Sequence, residues 1–203
     1  DGTLALKKPP KLLDPLDMIV VGGGPAGSAA AFRAFELGIT PLVIDYDDIL
    51  TRIRDYSKNK LILPHFSGGR NLKFPLGGYL ISRLPFEPID KDDLHESWKA
   101  IYYEYNIPAK LGVELTGLKR RDDGIWEVVT KNLKTKSREI FRARHVVLAI
   151  GAGFPRQLDI AENTKDICYK LADAENYTGD ISCIIGGGTS AADAVIAISN
   201  AKI

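Results

Sequence analysis

The chain of 203 residues has few cysteines, no marked excess of either charge and no long apolar run. Its two cysteines, Cys168 and Cys183, are too few for a disulfide scaffold and do not form a CxxC pair, which fits a reducing cytoplasm. The net charge of +1 gives no electrostatic basis for binding nucleic acid or an anionic membrane. Because no apolar run reaches about 18 residues, no transmembrane helix is expected. We therefore expect a globular cytoplasmic protein that binds neither nucleic acid nor a membrane.

The N-terminus also lacks the apolar core of a signal peptide. Residues 1–17 carry lysines and the prolines Pro9, Pro10 and Pro15, a composition that indicates an arm or linker. The first regular element is expected to begin at Met18.

Glycine, in contrast, is plentiful and occurs in two glycine-rich turns. The first turn follows a short apolar strand, Met18 to Val21, and opens a helix of small residues from Pro25 to Leu37. A second strand, Ile39 to Ile44, ends in Asp45. This order predicts a βαβ unit with a right-handed crossover.

Glycines at the first, third and sixth positions of such a turn are typical of a dinucleotide site. Here they are Gly22, Gly24 and Gly27. The first glycine makes the tight turn, the second lets the backbone approach a pyrophosphate, and the third lets the helix pack on the strand. The diphosphate then lies at the helix N-terminus. Asp45 is placed to accept hydrogen bonds from the adenosine ribose, although a solvated charge at a strand end is the alternative interpretation.

The second turn repeats this pattern with alanine at the sixth position. A strand from Asp180 to Ile185 and a helix from Thr189 to Asn200 are expected to flank it. The turn consists of Gly186, Gly188, Thr189, Ser190 and Ala191, and the two hydroxyls would act as helix caps or as phosphate donors. The residues that separate NAD from NADP are expected after Ile203.

The material between the turns is a long irregular stretch, a helix and three antiparallel strands. The stretch runs from Tyr46 to Ile89, with a short helix near Thr51 to Tyr56, and the longer helix begins near Asp90. The strands are predicted over Gly112–Arg121, Ile125–Lys131 and Arg138–Ala143. The apolar run Val146–Ile150 then predicts a separate strand that is buried on both faces of a parallel sheet.

In this order the motifs resemble flavoproteins with two dinucleotide-binding folds, which include thioredoxin-reductase-like enzymes and flavin-containing monooxygenases. The resemblance implies an α/β protein with an FAD/NAD(P)-binding Rossmann-like three-layer fold and an antiparallel three-strand meander. It places the N-terminal part of an FAD-binding domain at residues 18–155. It also places the start of a second dinucleotide-binding domain, an incomplete NAD(P)-binding domain, at residues 156–203.

The resemblance also implies a role for each part of the two turns. The first turn would bind the FAD diphosphate through Gly22, Gly24, Pro25, Ala26 and Gly27. Asp45 would bind the FAD ribose, and the backbone at Val113 would contact the adenine. Ala149, Ile150 and Gly151 resemble the family's "ATG" turn near the flavin, with isoleucine in place of threonine. The second turn would receive NAD or NADP, and the stretch from Tyr46 to Ile89 would cover the flavin.

Two departures from this family limit the prediction. The stretch around Cys168 has no CxxC, so dithiol exchange of the thioredoxin reductase type is not expected. The chain also ends before the C-terminal segment that completes the family's FAD domain, so we expect the N-terminal part of a longer protein. No metal site and no catalytic side chain is predicted, since structural roles are the better interpretation of His65, His95 and His145.

The leading hypothesis is therefore an FAD-dependent oxidoreductase that passes a hydride from NAD(P)H to the flavin and then reduces an unidentified electron acceptor. A flavin- or nucleotide-binding regulatory module without turnover is the second hypothesis. A plain NAD-dependent dehydrogenase that uses only the first turn is the third. The sequence leaves open whether the protein is a homodimer.

Overall fold

The computed structural model describes residues 10–58, 60–62, 80, 88–153, 157–159, 167–171, 173–177 and 181–201. Contacts within the chain define two units, Asp1–Arg54 with Leu61–Gly153 and Asp55–Lys60 with Phe154–Ile203. The assignment of FAD to residues 18–155 and of NAD(P) to residues 156–203 remains a prediction. In the described part of the chain, every helix is too short or too polar to cross a membrane.

In the first unit strands and helices are interspersed as far as Tyr105, and strands alone follow from Ala109 to Leu148. The strands are β1 (Leu16–Val21), β2 (Pro41–Ile44), β3 (Leu61–Ile62), β4 (Ile89–Asp90), β5 (Ala109–Lys110), β6 (Val113–Arg120), β7 (Trp126–Asn132) and β8 (Arg138–Leu148). The helices are α1 (Pro25–Glu36), α2 (Thr51–Arg54) and α3 (Lys91–Tyr105).

Six of these strands form one mixed sheet in the order β5-β2-β1-β8-β7-β6. Strand β1 runs parallel to both of its neighbours, with Val20 opposite Val43 on β2 and Val147 on β8. Strands β6, β7 and β8 are antiparallel, which confirms the predicted meander. The short strands β3 and β4 pair separately.

The predicted βαβ unit is present as β1, α1 and β2. Strand β1 begins at Leu16, two residues before the predicted start. Helix α3 begins as its sequence indicates, because the Asp90 side chain accepts a hydrogen bond of 2.8 Å from the Asp92 N–H. It ends at Tyr105, and the left-handed backbone of Asn106 (φ 50°) closes the last turn.

The prediction of two separate strands at residues 138–143 and 146–150 was wrong. Both segments belong to the single strand β8, whose first half pairs with β7 and whose second half pairs with β1. Nothing between Ala143 and Val146 breaks the chain, since Arg144 and His145 continue the extended backbone. The strand is also not buried on both faces, because Val146 and Val147 are only half-buried and Leu148 is exposed.

Side chains from alternate positions of β1 and β2 enter two different hydrophobic cores. On one face Val20 and Val43 pack with Phe32 of α1 and with residues of α3. On the other face Ile19 and Ile44 pack with side chains of the meander, notably Val128, Ala143 and Trp126. The parallel strands therefore lie between a helical layer and a second β layer, as the three-layer fold requires.

The stretch from Tyr46 to Ile89 is described only in part. Helix α2 begins at Thr51. The Thr51 hydroxyl accepts a hydrogen bond from the Asp48 N–H and donates one to the Asp48 carbonyl, so it does not cap the helix that follows. Residues 59, 63–79 and 81–87 lie outside the described residues, so their proposed role as a flavin cover remains untested. His65 lies in the same gap.

The second unit contains helix α4 (Thr189–Ala201) and a short 3₁₀ helix, Ala174–Asn176. The prediction of a strand before the second glycine turn was wrong for residues 181–185, which form no strand. Asp180 lies outside the described residues. Ile181 and Ile185 are both exposed. No described strand pairs with this segment, and an extended backbone becomes a strand only when a neighbour accepts and donates its hydrogen bonds.

We expect Phe32→Ala to destabilise the first unit by about 3–5 kcal/mol. Phe32 is fully buried, and its ring meets Trp98 and Tyr102 at centroid distances of 5.9 and 5.1 Å. Urea unfolding followed by tryptophan fluorescence measures the change. The control Leu37→Ala alters an exposed residue just after α1, and a loss of the same size there would contradict this account of the core.

Candidate functional site

The first glycine turn lies where the parallel strands β1, β2 and β8 end. The Gly22 N–H donates to the Ile44 carbonyl over 2.8 Å, and the Ala149 N–H donates to the Val21 carbonyl over 2.8 Å. The turn is therefore tied to both neighbouring strands. In open α/β sheets this carboxyl edge is where ligands bind.

Two glycines of this turn are required by close packing. Gly22 has φ of +101°, and a Cβ built on it would lie 2.3 Å from the Ala149 carbonyl oxygen. A Cβ on Gly27 would lie 1.8 Å from the Gly22 carbonyl oxygen, which is backbone and cannot move aside. Helix α1 therefore approaches the sheet edge only because both side chains are absent.

Gly24 differs, because a Cβ at this position would meet nothing within 4 Å. Its backbone has ordinary angles, with φ of −69° and ψ of −176°, so glycine is not needed for conformation. The position borders open space at the start of α1. A cofactor phosphate that approached the backbone there would occupy the space of a side chain.

Helix α1 leaves its N-terminal end without a side-chain cap. The N-cap residue is Gly24, Pro25 follows it, and the first turn contains no acidic residue. The first N–H groups of a helix have no partner within the helix, and its dipole makes this end positive. Ala26 and Gly27 contribute amides here, whereas Pro25 has none. The end of α1 can therefore bind an anion.

The carboxylate of Asp45 contacts the first turn directly. One carboxylate oxygen accepts a hydrogen bond of 2.6 Å from the Gly23 N–H, and the other accepts one of 3.0 Å from the Asp47 N–H. The structure thus brings Asp45 and the glycine turn together, although 22 residues separate Asp45 from Gly23. Two backbone donors hold a carboxylate beside an anion site, where it can also accept bonds from ligand hydroxyls.

Val113 lies next to Asp45, but its N–H is already used. This group donates to the Asp45 carbonyl over 2.9 Å, and the Val113 side chain is buried. A contact between this residue and an adenine would therefore rely on the Val113 carbonyl.

The predicted "ATG"-like turn follows β8 at the same edge. The methyl group of Ala149 would lie 3.2 Å from a Cβ on Gly27, so it packs against the start of α1. Gly151 has φ of +71°, and Ile150 is exposed. Arg52 donates to the Gly153 carbonyl over 2.7 Å and so connects α2 to this turn.

The sequence analysis missed Ser28 and Tyr102, which support the first turn from inside. The Ser28 hydroxyl donates to the Gly23 carbonyl over 3.1 Å, and the Tyr102 hydroxyl donates to Ser28 over 3.0 Å. Ser28 is fully buried. A serine among the alanines of a small-residue helix was the one available signal.

Burial raises the pKa of the Tyr102 hydroxyl well above its ordinary value. The bond to Ser28 opposes this shift, and the negative charge of Asp45 adds to it. Tyr102 therefore stays protonated at neutral pH and remains a hydrogen-bond donor.

The second glycine turn lies in the second unit, before α4. Gly186 has φ of +126°, and a Cβ on Gly186, Gly187 or Gly188 would meet nothing within 4 Å. The N–H groups of Ala191 and Ala192 donate to the Gly188 carbonyl over 3.0 and 3.1 Å. The predicted helix is thus confirmed, with Thr189 and Ser190 in its first turn.

Histidine and cysteine side chains are few in the described part of the chain. His95 is buried, with Nε2 3.0 Å from the Ile49 carbonyl oxygen, whereas His145 is exposed on β8. Cys168 and Cys183 are both exposed and unlinked. The described residues contain no group of three or more potential metal ligands.

Comparisons with known proteins agree with this arrangement. Residues 19–202 match the family model described as pyridine nucleotide-disulphide oxidoreductase. The chain is 26% identical to a ferredoxin–NADP reductase of Ignicoccus hospitalis, over 92% of this chain and 54% of that protein. It is 25% identical to one of Rickettsia typhi, over 90% and 50%. The chain thus spans about half the length of the curated relatives it matches.

Solved structures show the same fold. The bacillithiol disulfide reductase Bdr (YpdA) of Bacillus cereus superposes with a TM-score of 0.74 at 21% identity, over 92% of this chain and 56% of that chain. A structure described as OTEMO in complex with FAD and NADP superposes with a TM-score of 0.54 at 19% identity, over 73% and 28%. These two structures share the Rossmann-like fold with this chain.

We expect Gly27→Ala to destabilise the first unit by about 1–3 kcal/mol or more, because its methyl group would overlap the Gly22 carbonyl. Gly24→Ala should cost under about 1 kcal/mol, the effect of alanine at an N-cap. Thermal unfolding of the two variants measures the difference. Equal losses would contradict the packing described for this turn.

Proposed function

Because the chain belongs to the pyridine nucleotide-disulphide oxidoreductase family, we propose that its first glycine turn binds the diphosphate and adenosine part of FAD. One observation carries this proposal. The open space at Gly24 lies at the uncapped N-terminus of α1, and the Asp45 carboxylate bonds the neighbouring Gly23 N–H. An anion site and a ribose acceptor are therefore adjacent.

The residues of the turn fit the chemistry of this part of FAD. The diphosphate would accept hydrogen bonds from the amides at Gly24, Ala26 and Gly27, and the positive end of the α1 dipole would favour its charge. Pro25 would fix the backbone angle at the helix start without adding an amide. Asp45 would accept hydrogen bonds from the ribose hydroxyls. The Val113 backbone would contact the adenine through its carbonyl, because its N–H already donates to the Asp45 carbonyl.

We propose that the second turn receives NAD or NADP. Gly186 and Gly188 leave the backbone open to a diphosphate, and the first turn of α4 carries the Thr189 and Ser190 hydroxyls. Ala191 stands where a third glycine would be, and alanine is an accepted variant at that position. The glycine motif and the observed helix α4 support this proposal. The expected strand does not, because residues 181–185 do not form one.

The proposed activity of the whole protein is NAD(P)H-dependent oxidoreduction. FAD, when bound, would supply the chemistry of accepting a hydride from NAD(P)H and passing two electrons to an acceptor. The chain's own residues would bind and orient the cofactors. The sequence has no CxxC, so residues 1–203 supply no dithiol of the thioredoxin reductase type as the acceptor.

The absorbance spectrum of the purified full-length protein tests this function. We expect bound flavin at one equivalent per chain and bleaching of the flavin band when NADH or NADPH is added without oxygen. Flavin that neither nucleotide reduces would support a regulatory module instead. Bound nicotinamide without flavin would support a plain dehydrogenase. Absence of any bound dinucleotide would contradict the proposal.

We expect Gly24→Ala to weaken FAD binding by roughly 10- to 100-fold, the effect of losing one hydrogen bond to a charged group at about 1.5–3 kcal/mol. The methyl group would occupy the space proposed for the phosphate. Titration of the full-length apoprotein with FAD measures the dissociation constant. Leu37→Ala, at the opposite end of α1, is the control and should bind FAD normally. Unchanged affinity in Gly24→Ala would place the diphosphate elsewhere.

A further inference from the structure

The peptide group between Gly23 and Gly24 is anchored on one side only. Its carbonyl, on Gly23, accepts hydrogen bonds from the Ser28 hydroxyl over 3.1 Å and from the Leu50 N–H over 3.0 Å. The N–H on the other side belongs to Gly24, and no described residue accepts a hydrogen bond from it. The carbonyl is therefore held inside the protein while the amide is available to a ligand.

The geometry of the peptide group determines the direction in which the Gly24 N–H points. In a planar trans peptide the C=O and the N–H point in opposite directions. Because the Gly23 carbonyl points to the fully buried Ser28, the Gly24 N–H points away from the interior. A Cβ on Gly24 would also meet nothing within 4 Å, so the protein leaves space beside this residue. Hydrogen bonds to the carbonyl also polarise the peptide and make its N–H a stronger donor.

Tyr102 determines how the Ser28 hydroxyl is used. A carbonyl oxygen only accepts, so the single hydroxyl proton of Ser28 must point to Gly23. The Ser28 oxygen must then accept the proton of Tyr102, which is buried and held by an edge contact with the Phe32 ring. The hydrogen bonds therefore run in one direction, from α3 through α1 to the turn.

We propose that Ser28 and Tyr102 are positioning residues for the FAD diphosphate, which hold the Gly23–Gly24 peptide so that the Gly24 amide faces the phosphate. This inference rests on the FAD site proposed above. It gives helix α3 a part in cofactor binding, although α3 contributes no residue of the glycine motif.

The test compares FAD dissociation constants of the full-length apoprotein and its variants. Tyr102→Phe keeps the ring and removes one oxygen, and we expect FAD to bind roughly threefold to tenfold more weakly. Ser28→Ala should have a larger effect, because it removes the bond to Gly23 and the acceptor of Tyr102. The double variant should be no worse than Ser28→Ala, since both act through one chain of bonds.

Tyr103→Phe is the matched control, because it removes a hydroxyl from the next residue of the same helix, where the side chain is 67% exposed. Its FAD affinity should be unchanged. All titrations are done well below the unfolding temperature of each apoprotein, so that a lower stability alone does not alter the dissociation constant. The amide NMR signal of Gly24 in the apoprotein should shift in Tyr102→Phe and stay unchanged in Tyr103→Phe.

The outcomes separate this inference from the proposed function. A wild-type protein that binds no FAD would overturn the proposed function before any variant is compared. A wild-type protein that binds FAD, with Tyr102→Phe folded and within twofold of its affinity, would overturn the inference alone. If Ser28→Ala does not fold, the comparison of FAD affinity between Tyr102→Phe and Tyr103→Phe still tests the inference.

Discussion

The close approach of helix α1 to the ends of strands β1 and β8 is the constraint on which the first unit depends. A side chain at Gly27 would overlap the Gly22 carbonyl, and one at Gly22 would overlap the Ala149 carbonyl. With both absent, the N-terminus of the helix reaches the carboxyl edge of the sheet. Its unpaired amides and the open face at Gly24 then lie beside Asp45. The proposed diphosphate site depends on this contact.

Hydrogen bonds from the interior hold the turn in this position. Gly23 is bonded through its N–H to Asp45 and through its carbonyl to Ser28 and Leu50, so strand β2 and helix α1 both hold one residue. Buried polar groups need partners, and the partner of Ser28 comes from α3 as Tyr102. The aromatic cluster of Phe32, Trp98 and Tyr102 packs α3 against α1 and so supports the polar chain as well.

The second unit contains the same glycine motif, but fewer described elements contact it. The first turn is tied to two strands, whereas residues 181–185 have no described strand beside them, and Ile181 is almost fully exposed. Helix α4 nevertheless forms, because helical hydrogen bonds close within one segment. A strand needs a neighbour, which is why the helix prediction was confirmed there and the strand prediction was not.

Much of the fold could be predicted from local patterns. The order of strand, glycine turn and helix, the meander and the cap at Asp90 are each encoded within a few residues. The extent of β8 was not, because an apolar run does not show whether one strand serves two neighbours. The burial of its second half was overestimated, because an apolar run does not show what packs on the faces of a strand. No role was predicted for Ser28, because its partner Tyr102 lies 74 residues away in the chain.

The sequence by itself determined the family, the Rossmann-like class and the two positions where a dinucleotide backbone could approach the chain. These depend on glycine spacing and strand–helix order, which are local properties. The tertiary structure showed the backbone contacts that require glycine at Gly22 and Gly27, as the motif predicted, and showed that a Cβ on Gly24 would meet nothing within 4 Å. It also decided that Asp45 bonds the turn, and that Ser28 and Tyr102 hold it. The physical reason is that steric exclusion and buried hydrogen bonds join residues far apart in the chain, and these partners become known only when the segments are packed together.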